Sequence, residues 1–169
     1  MKVVVVYESP WGNTAAIARA VAEGVGPEAC ALSTAEASRH AMSNVDLIVA
    51  SAPVLGFQFP CATMRETVLS TPADAPTPAD LSSPSMRAWL AGLTPGCARF
   101  ATFETVLRWS PGATTLAIGR GLQRVGYRPV MEGRRFVVCG KWGPLREGEL
   151  DRARRWGAEL ARTAASLPG

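Results

Sequence analysis

A six-residue stretch near the start of the chain has the composition of an anion-binding loop. It reads Ser9-Pro10-Trp11-Gly12-Asn13-Thr14 and joins an apolar run to apolar residues at helical spacing. A helix N-terminus offers free backbone N–H groups and the positive end of the helix dipole. The hydroxyl groups of Ser9 and Thr14 and the amide of Asn13 add donors, and Gly12 lets the backbone wrap closely around a ligand. These residues predict a phosphate site that requires no lysine.

Other motifs that carry chemistry are absent from the sequence. Neither the GxxxxGK phosphate loop nor the GxGxxG dinucleotide fingerprint occurs. His40 is the single histidine, which argues against a histidine-based metal site or catalytic triad. The four cysteines form no CxxC pair and lie about 30 to 40 residues apart, so we expect reduced thiols and no metal. We predict no catalytic side chain.

The elements that must position this loop alternate between strand-like and helix-like segments. The predicted strands are Lys2–Tyr7, Glu28–Ser33, Val45–Ala52, Gly96–Phe103 and Phe136–Gly140. The predicted helices are Thr14–Val25, a short one capped by Thr34 that ends near Met42, Pro60–Leu69, Met86–Leu93, Thr114–Gly126 and Glu149–Ser166. The inward face of the last helix is expected to hold Leu150, Ala153, Gly157, Leu160, Ala161, Ala164 and Leu167. The Pro-, Ser- and Thr-rich stretch Thr71–Pro84 is expected to be a surface loop.

This alternation predicts a single domain, residues 1–169, with a three-layer doubly wound α/β fold. Right-handed crossovers and the chain length favour a five-stranded parallel sheet in the order 2-1-3-4-5. A ligand of such a sheet lies outside the carboxyl ends of the strands, at the switch point between strands 1 and 3. The loops that should surround it follow Tyr7, Ala52 and Phe103.

The first two of these loops resemble those of the flavodoxin-like family. The stretch Val5–Thr14 is similar to that family's first strand and phosphate loop, although Trp11 stands where many short flavodoxins have Ser or Thr. The aromatic-Gly-Asn-Thr variant resembles the flavodiiron and quinone-reductase branches. The stretch Asp46–Pro53 resembles the third strand of the family.

The resemblance implies an FMN cofactor and extends the set of cofactor-binding residues. From the second loop it implies Pro53, Val54, Leu55, Gly56 and Phe57; from the weaker third loop it implies Thr102, Phe103, Glu104 and Trp109. Phe57 or Phe59 is expected to pack on the flavin ring, and Trp109 or Phe103 to replace the family's stacking tyrosine.

Three functions stay open at this point. The first is electron transfer from FMN to a protein redox partner, and the second is NAD(P)H-dependent reduction of quinones by an FMN enzyme. The third is a flavodoxin-fold module that has lost FMN and binds a protein. Carriers of the family are strongly acidic, whereas this chain has a formal net charge of +4.

The charge and apolar patterns give expectations about partners and location. Residues 120–169 carry 11 basic and 5 acidic side chains, against 7 basic and 9 acidic in residues 1–119. The basic residues lack interleaved aromatics, so nucleic-acid binding is not expected. No apolar run of about 18 residues and no signal-peptide pattern occurs, so we expect a cytoplasmic protein without membrane contact, either monomer or weak homodimer.

Overall fold

The computed structural model describes residues 1–40, 42–69 and 75–167. Its strands are β1 Val3–Tyr7, β2 Ala29–Ser33, β3 Leu47–Pro53, β4 Arg99–Leu107, β5 Arg128–Pro129 and β6 Arg134–Val138. Its helices are α1 Asn13–Val25, α2 Thr34–Ala37, α3 Ala62–Leu69, α4 Met86–Ala91, α5 Thr114–Arg124 and α6 Glu149–Ser166, with a 3₁₀ turn at Met42–Asn44. Among the described residues, no helix has the length and apolarity that crossing a membrane requires.

The sheet is parallel and has the predicted order, β2-β1-β3-β4-β5, with β6 as an additional sixth strand. Both β5 and β6 pair with β4: β5 lies beside its first residues and β6 beside residues 103–107. The fifth strand position is therefore split in two by residues 130–133. The sequence pattern predicted only the second half, because two residues are too few to show a strand period.

Helices cover both faces of the sheet, which explains the unbroken run of valines in β1. Val3 and Val5 belong to the apolar cluster under α1 and α6, whereas Val4 and Val6 belong to the cluster under α4 and α5. All four are fully buried. Because successive strand residues point to opposite faces, a strand buried on both faces must be apolar at every position.

Three details of the predicted elements are wrong. The short helix α2 is capped by Ser33, not Thr34, because the Ser33 hydroxyl accepts from Glu36 N and the Glu36 carboxylate accepts from Ser33 N, a capping box. That helix ends at Ala37, well before Met42. On α6, Leu150 is 39% exposed, and Trp156, which the prediction left out, fills the core instead.

The fourth strand also differs from its prediction. It begins at Arg99 and continues to Leu107, four residues beyond the predicted end at Phe103. The pairing of β4 with β3 and β6 over these residues stabilises the longer strand. The carboxyl edge of β4 is consequently formed by Thr105, Val106 and Leu107.

The predicted surface loop at Thr71–Pro84 lies partly outside the described residues, since 70–74 are not described. Residues 75–84 contain no helix or strand, as expected.

Candidate functional site

Four loops meet at the carboxyl edge of the sheet, one more than the sequence predicted. These loops follow β1, β3, β4 and β6. Residues from each of these strand ends or from the loop after it line a cavity of about 270 Å³. The predicted residues that line it are Ser9, Pro10, Trp11, Asn13, Thr14, Pro53, Val54, Leu55 and Gly56. The residues that sequence reasoning missed are Met64, Thr67, Val68, Thr105, Leu107, Val138 and Lys141. Gly12, Phe57, Thr102, Phe103, Glu104 and Trp109 are not in its lining.

The loop after β1 presents its backbone N–H groups at the start of α1. Gly12 is the N-cap residue with φ +82°, a left-handed conformation in which an L side chain would be strained. An added Cβ there would meet no atom within 4 Å, so open space lies in front of this loop. Within the described part of the chain, the backbone N–H groups of residues 11–14 have no acceptor. The loop is therefore free to hydrogen-bond an anion.

Side chains of this loop hold it in shape. The Ser9 hydroxyl accepts from Ala15 N at 3.0 Å, so it gives one N–H group of the first turn of α1 a partner. The Thr14 and Thr105 hydroxyls share a hydrogen bond of 2.8 Å in the interior, which ties the helix start to β4. Asn13 Nδ2 donates to the Trp142 carbonyl at 2.9 Å. Trp11 Nε1 is buried, and no hydrogen-bond partner is found for it among the described residues.

The loop after β3 forms a tight hairpin that carries an exposed aromatic ring. Leu55 and Gln58 exchange both backbone hydrogen bonds at 3.1 Å, and Gly56 and Phe57 between them have φ +52° and +65°. Positive φ at both central residues is typical of the two-residue hairpin turn. The Phe57 side chain is 51% exposed.

Phe57 lies against Trp109 of the loop after β4, with ring centroids 5.3 Å apart and an interplanar angle of 54°. Trp109 is 69% exposed. The other two candidate stacking residues cannot reach a ligand ring, because Phe103 is fully buried in the core and Phe59 is buried with the Arg87 guanidinium over its ring. Burial in the tertiary structure thus leaves Phe57 and Trp109 accessible to a ligand and excludes Phe59 and Phe103. The sequence alone could not distinguish the two pairs.

Thr102, Phe103 and Glu104 were predicted at the end of a strand, but they lie inside β4. The prediction that they lie at the edge of the sheet is wrong, because pairing with β3 and β6 extends β4 to Leu107. Glu104 has a structural task instead. Its buried carboxylate accepts from the backbone N–H groups of Thr114 and Thr115, at 2.9 and 3.1 Å, and pairs with Arg135 at 3.2 Å. It therefore fixes the start of α5 and the end of the loop that carries Trp109.

The segment 75–85 contacts the loop after β1. Asp80 N donates to the Pro10 carbonyl at 2.7 Å. Arg65 contacts the carbonyl oxygen of Ser83 at 2.8 Å and forms an ion pair with the buried carboxylate of Glu8. Hydrogen bonds from the Ser82 side chain and backbone lower the pKa of Asp80. This segment lines a second cavity together with the loop after β1, and none of its residues lines the 270 Å³ cavity.

Comparison with known proteins finds similarity in structure and not in sequence. No protein-family model matches the chain, and no curated protein matches its sequence. Flavodoxin 1 from Bacillus cereus is 17% identical with a TM-score of 0.66, over 99% of this chain and 100% of that one. A flavodoxin, WrbA-like protein from Agrobacterium tumefaciens is 20% identical with a TM-score of 0.58, over 99% of each chain.

The flavodiiron core from Synechocystis sp. PCC6803 is 18% identical with a TM-score of 0.63, over 98% of this chain but 36% of that one. At identities this low, the structural similarity shows the fold and no more. Together with the strand order and the cavity at the carboxyl edge of the sheet, this similarity shows that the chain has the flavodoxin-like fold.

Proposed function

We propose that this protein binds one FMN at the carboxyl edge of the sheet and passes electrons to a protein redox partner. The observation that supports this most directly is the juxtaposition of two features. The backbone N–H groups of residues 11–14 have no acceptor among the described residues, and Trp11, Asn13 and Thr14 line a largely apolar cavity. An exposed aromatic pair lies on the neighbouring loops. A phosphate ester joined to a flat aromatic ring system has complementary chemistry at both ends.

The residues of the site fit such a ligand. The N–H groups of the loop after β1 would hold the phosphate, and the Pro53–Gly56 stretch would form an apolar wall. Because Phe57 and Trp109 contact each other, they must separate to admit a planar ring between them. Bound FMN would supply the redox chemistry, whereas the chain sets its orientation and its exposure to solvent.

A second function, NAD(P)H-dependent quinone reduction, is favoured by two observations. Phe57 and Trp109 are widely exposed, so a small planar reactant would have access to a ring held by them. The net charge of +4 is the opposite of what acidic carriers of the family have. Hydride transfer needs little from the side chains beyond stacking the two rings together.

The first experiment is an absorbance spectrum of the purified protein, followed by titration of apoprotein with FMN under flavin fluorescence. We expect either the visible absorbance of a bound flavin or saturable quenching of flavin fluorescence, with a Kd of roughly micromolar or below. Steady-state NADPH oxidation with a quinone then separates the reductase from the carrier. Lack of any binding at high micromolar FMN would contradict both functions and leave a protein-binding module.

The aromatic pair gives a prediction about FMN affinity. Trp109→Ala and Phe57→Ala should each weaken FMN binding by about 1 kcal/mol, roughly fivefold, because each removes one stacking surface. Leu116→Ala is the matched control, since Leu116 is 68% exposed on α5 and contributes no aromatic ring. If all three variants bind FMN like the wild type, the flavin ring does not lie at this pair.

A further inference from the structure

The loop after β6 brings a cation to the cavity that sequence reasoning did not place there. Lys141 lines the cavity together with Asn13 and Thr14 of the α1 N-terminus. Its ammonium nitrogen lies 5.2 Å from the centroid of the Trp142 ring, a distance at which a cation is attracted by the ring. The phosphate site was predicted to need no lysine, and the tertiary structure supplies one.

The backbone around Lys141 is fixed against the phosphate loop. The Trp142 carbonyl accepts from Asn13 Nδ2 at 2.9 Å. Gly143 packs so closely on the same side chain that an added Cβ would lie 2.7 Å from Asn13 Oδ1. A backbone hydrogen bond of 2.8 Å from Cys139 N to the Pro144 carbonyl closes the loop. The backbone of residue 141 is consequently held beside the first turn of α1.

No anion in the described structure neutralises this lysine. The ion pairs found among the described residues all involve arginine. The residues that line the cavity include no carboxylate, and Lys141 is the one cationic side chain in this lining as described. Free N–H groups, a helix N-terminus and an unpaired ammonium together make this end of the cavity positive.

Building on the proposed FMN site, we propose that Lys141 is a specificity-determining residue that pairs with the phosphate of the ligand. The chain then selects the phosphorylated flavin over uncharged riboflavin through a full charge as well as through backbone N–H groups. A phosphate dianion gains a charge-assisted hydrogen bond from an ammonium group, whereas the terminal hydroxyl of riboflavin gains much less.

The test compares four forms of the full chain: wild type, Lys141→Gln, Lys141→Arg and Arg120→Gln. Arg120 is exposed on α5, so the last variant removes the same charge outside the cavity lining. FMN and riboflavin are each titrated under flavin fluorescence, and thermal unfolding confirms that every variant folds.

We expect Lys141→Gln to raise the Kd for FMN about three- to tenfold, as for one partly solvated ion pair. The Kd for riboflavin should stay unchanged. Lys141→Arg and Arg120→Gln should resemble the wild type for both ligands. At about 0.5 M KCl the difference between wild type and Lys141→Gln should shrink, because salt screens an exposed pair.

Each other outcome overturns the inference in a recognisable way. An equal loss of FMN and riboflavin affinity in Lys141→Gln would mean that the lysine shapes the cavity and does not read the phosphate. Unchanged FMN affinity would remove Lys141 from the site, and flavin binding itself would stand in both cases. Wild-type protein that binds neither flavin would overturn the proposed function, and the role of Lys141 with it.

Discussion

Gly157→Ala should lower the free energy of unfolding by about 2 to 3 kcal/mol, which is large for the addition of one methyl group. Gly157 lies where α6 crosses α1, and an added Cβ would be 2.2 Å from the Val21 carbonyl oxygen. The same contact recurs at Gly24, where an added Cβ would be 2.0 Å from the Arg154 carbonyl oxygen. The obstacle is backbone, so no side chain can turn aside and the two helices must separate.

Urea unfolding followed by circular dichroism measures this effect, and the same substitution elsewhere provides the control. At Gly119 on α5 an added Cβ would come no closer than 3.6 Å to the Phe100 ring. Gly119→Ala should therefore raise stability by about 0.5 to 1 kcal/mol through helix propensity. A rise of similar size at Gly157 would show that α1 and α6 do not pack backbone to backbone.

Glu104→Ala should lower the free energy of unfolding by about 3 kcal/mol. The variant leaves the N–H groups of Thr114 and Thr115 without their acceptor and Arg135 without its buried partner. It also removes a negative charge from the N-terminus of α5, where the helix dipole stabilises one. Because the Trp109 loop ends at this point, FMN affinity should fall together with stability.

Two variants test whether burial and charge make Glu104 special. Glu159→Ala removes an ion pair with Arg134 whose side chains are 47% and 41% exposed, so it should cost less than about 1 kcal/mol. Glu104→Gln keeps one acceptor and most of the volume, and its cost should fall between the other two. Equal costs for Glu104→Ala and Glu159→Ala would contradict the assigned role of the buried carboxylate.

Pairing of the basic residues could not be predicted from their number. The sequence has a basic excess after residue 119, a pattern that would suit an acidic partner. In the fold, Arg134, Arg135, Arg146, Arg152 and Arg154 all form ion pairs with carboxylates. Five of the eleven basic side chains after residue 119 are therefore paired with carboxylates of the same chain.

Local pattern was sufficient for the fold class and the strand order, although not for the end of β4 or for β5. The valines of β1, the Gly-Asn-Thr turn and the helical spacing after it are signals carried by residues that are neighbours in the chain. Alternating strands and helices, combined with right-handed crossovers, then leave few sheet orders. The sequence by itself thus determined the α/β class, the order 2-1-3-4-5 and the phosphate loop as the place to look for a ligand.

Which side chains reach the cavity depended on contacts between residues far apart in the chain. The end of β4 is decided by its pairing with β3 and β6. Packing on the sheet buries Phe103 and Phe59, whereas Trp109 and Phe57 stay exposed. Lys141 joins Thr14 only because the loop after β6 packs on Asn13. Spacing along the chain carries no information about such contacts, since they form where strands far apart in sequence end at one edge of the sheet.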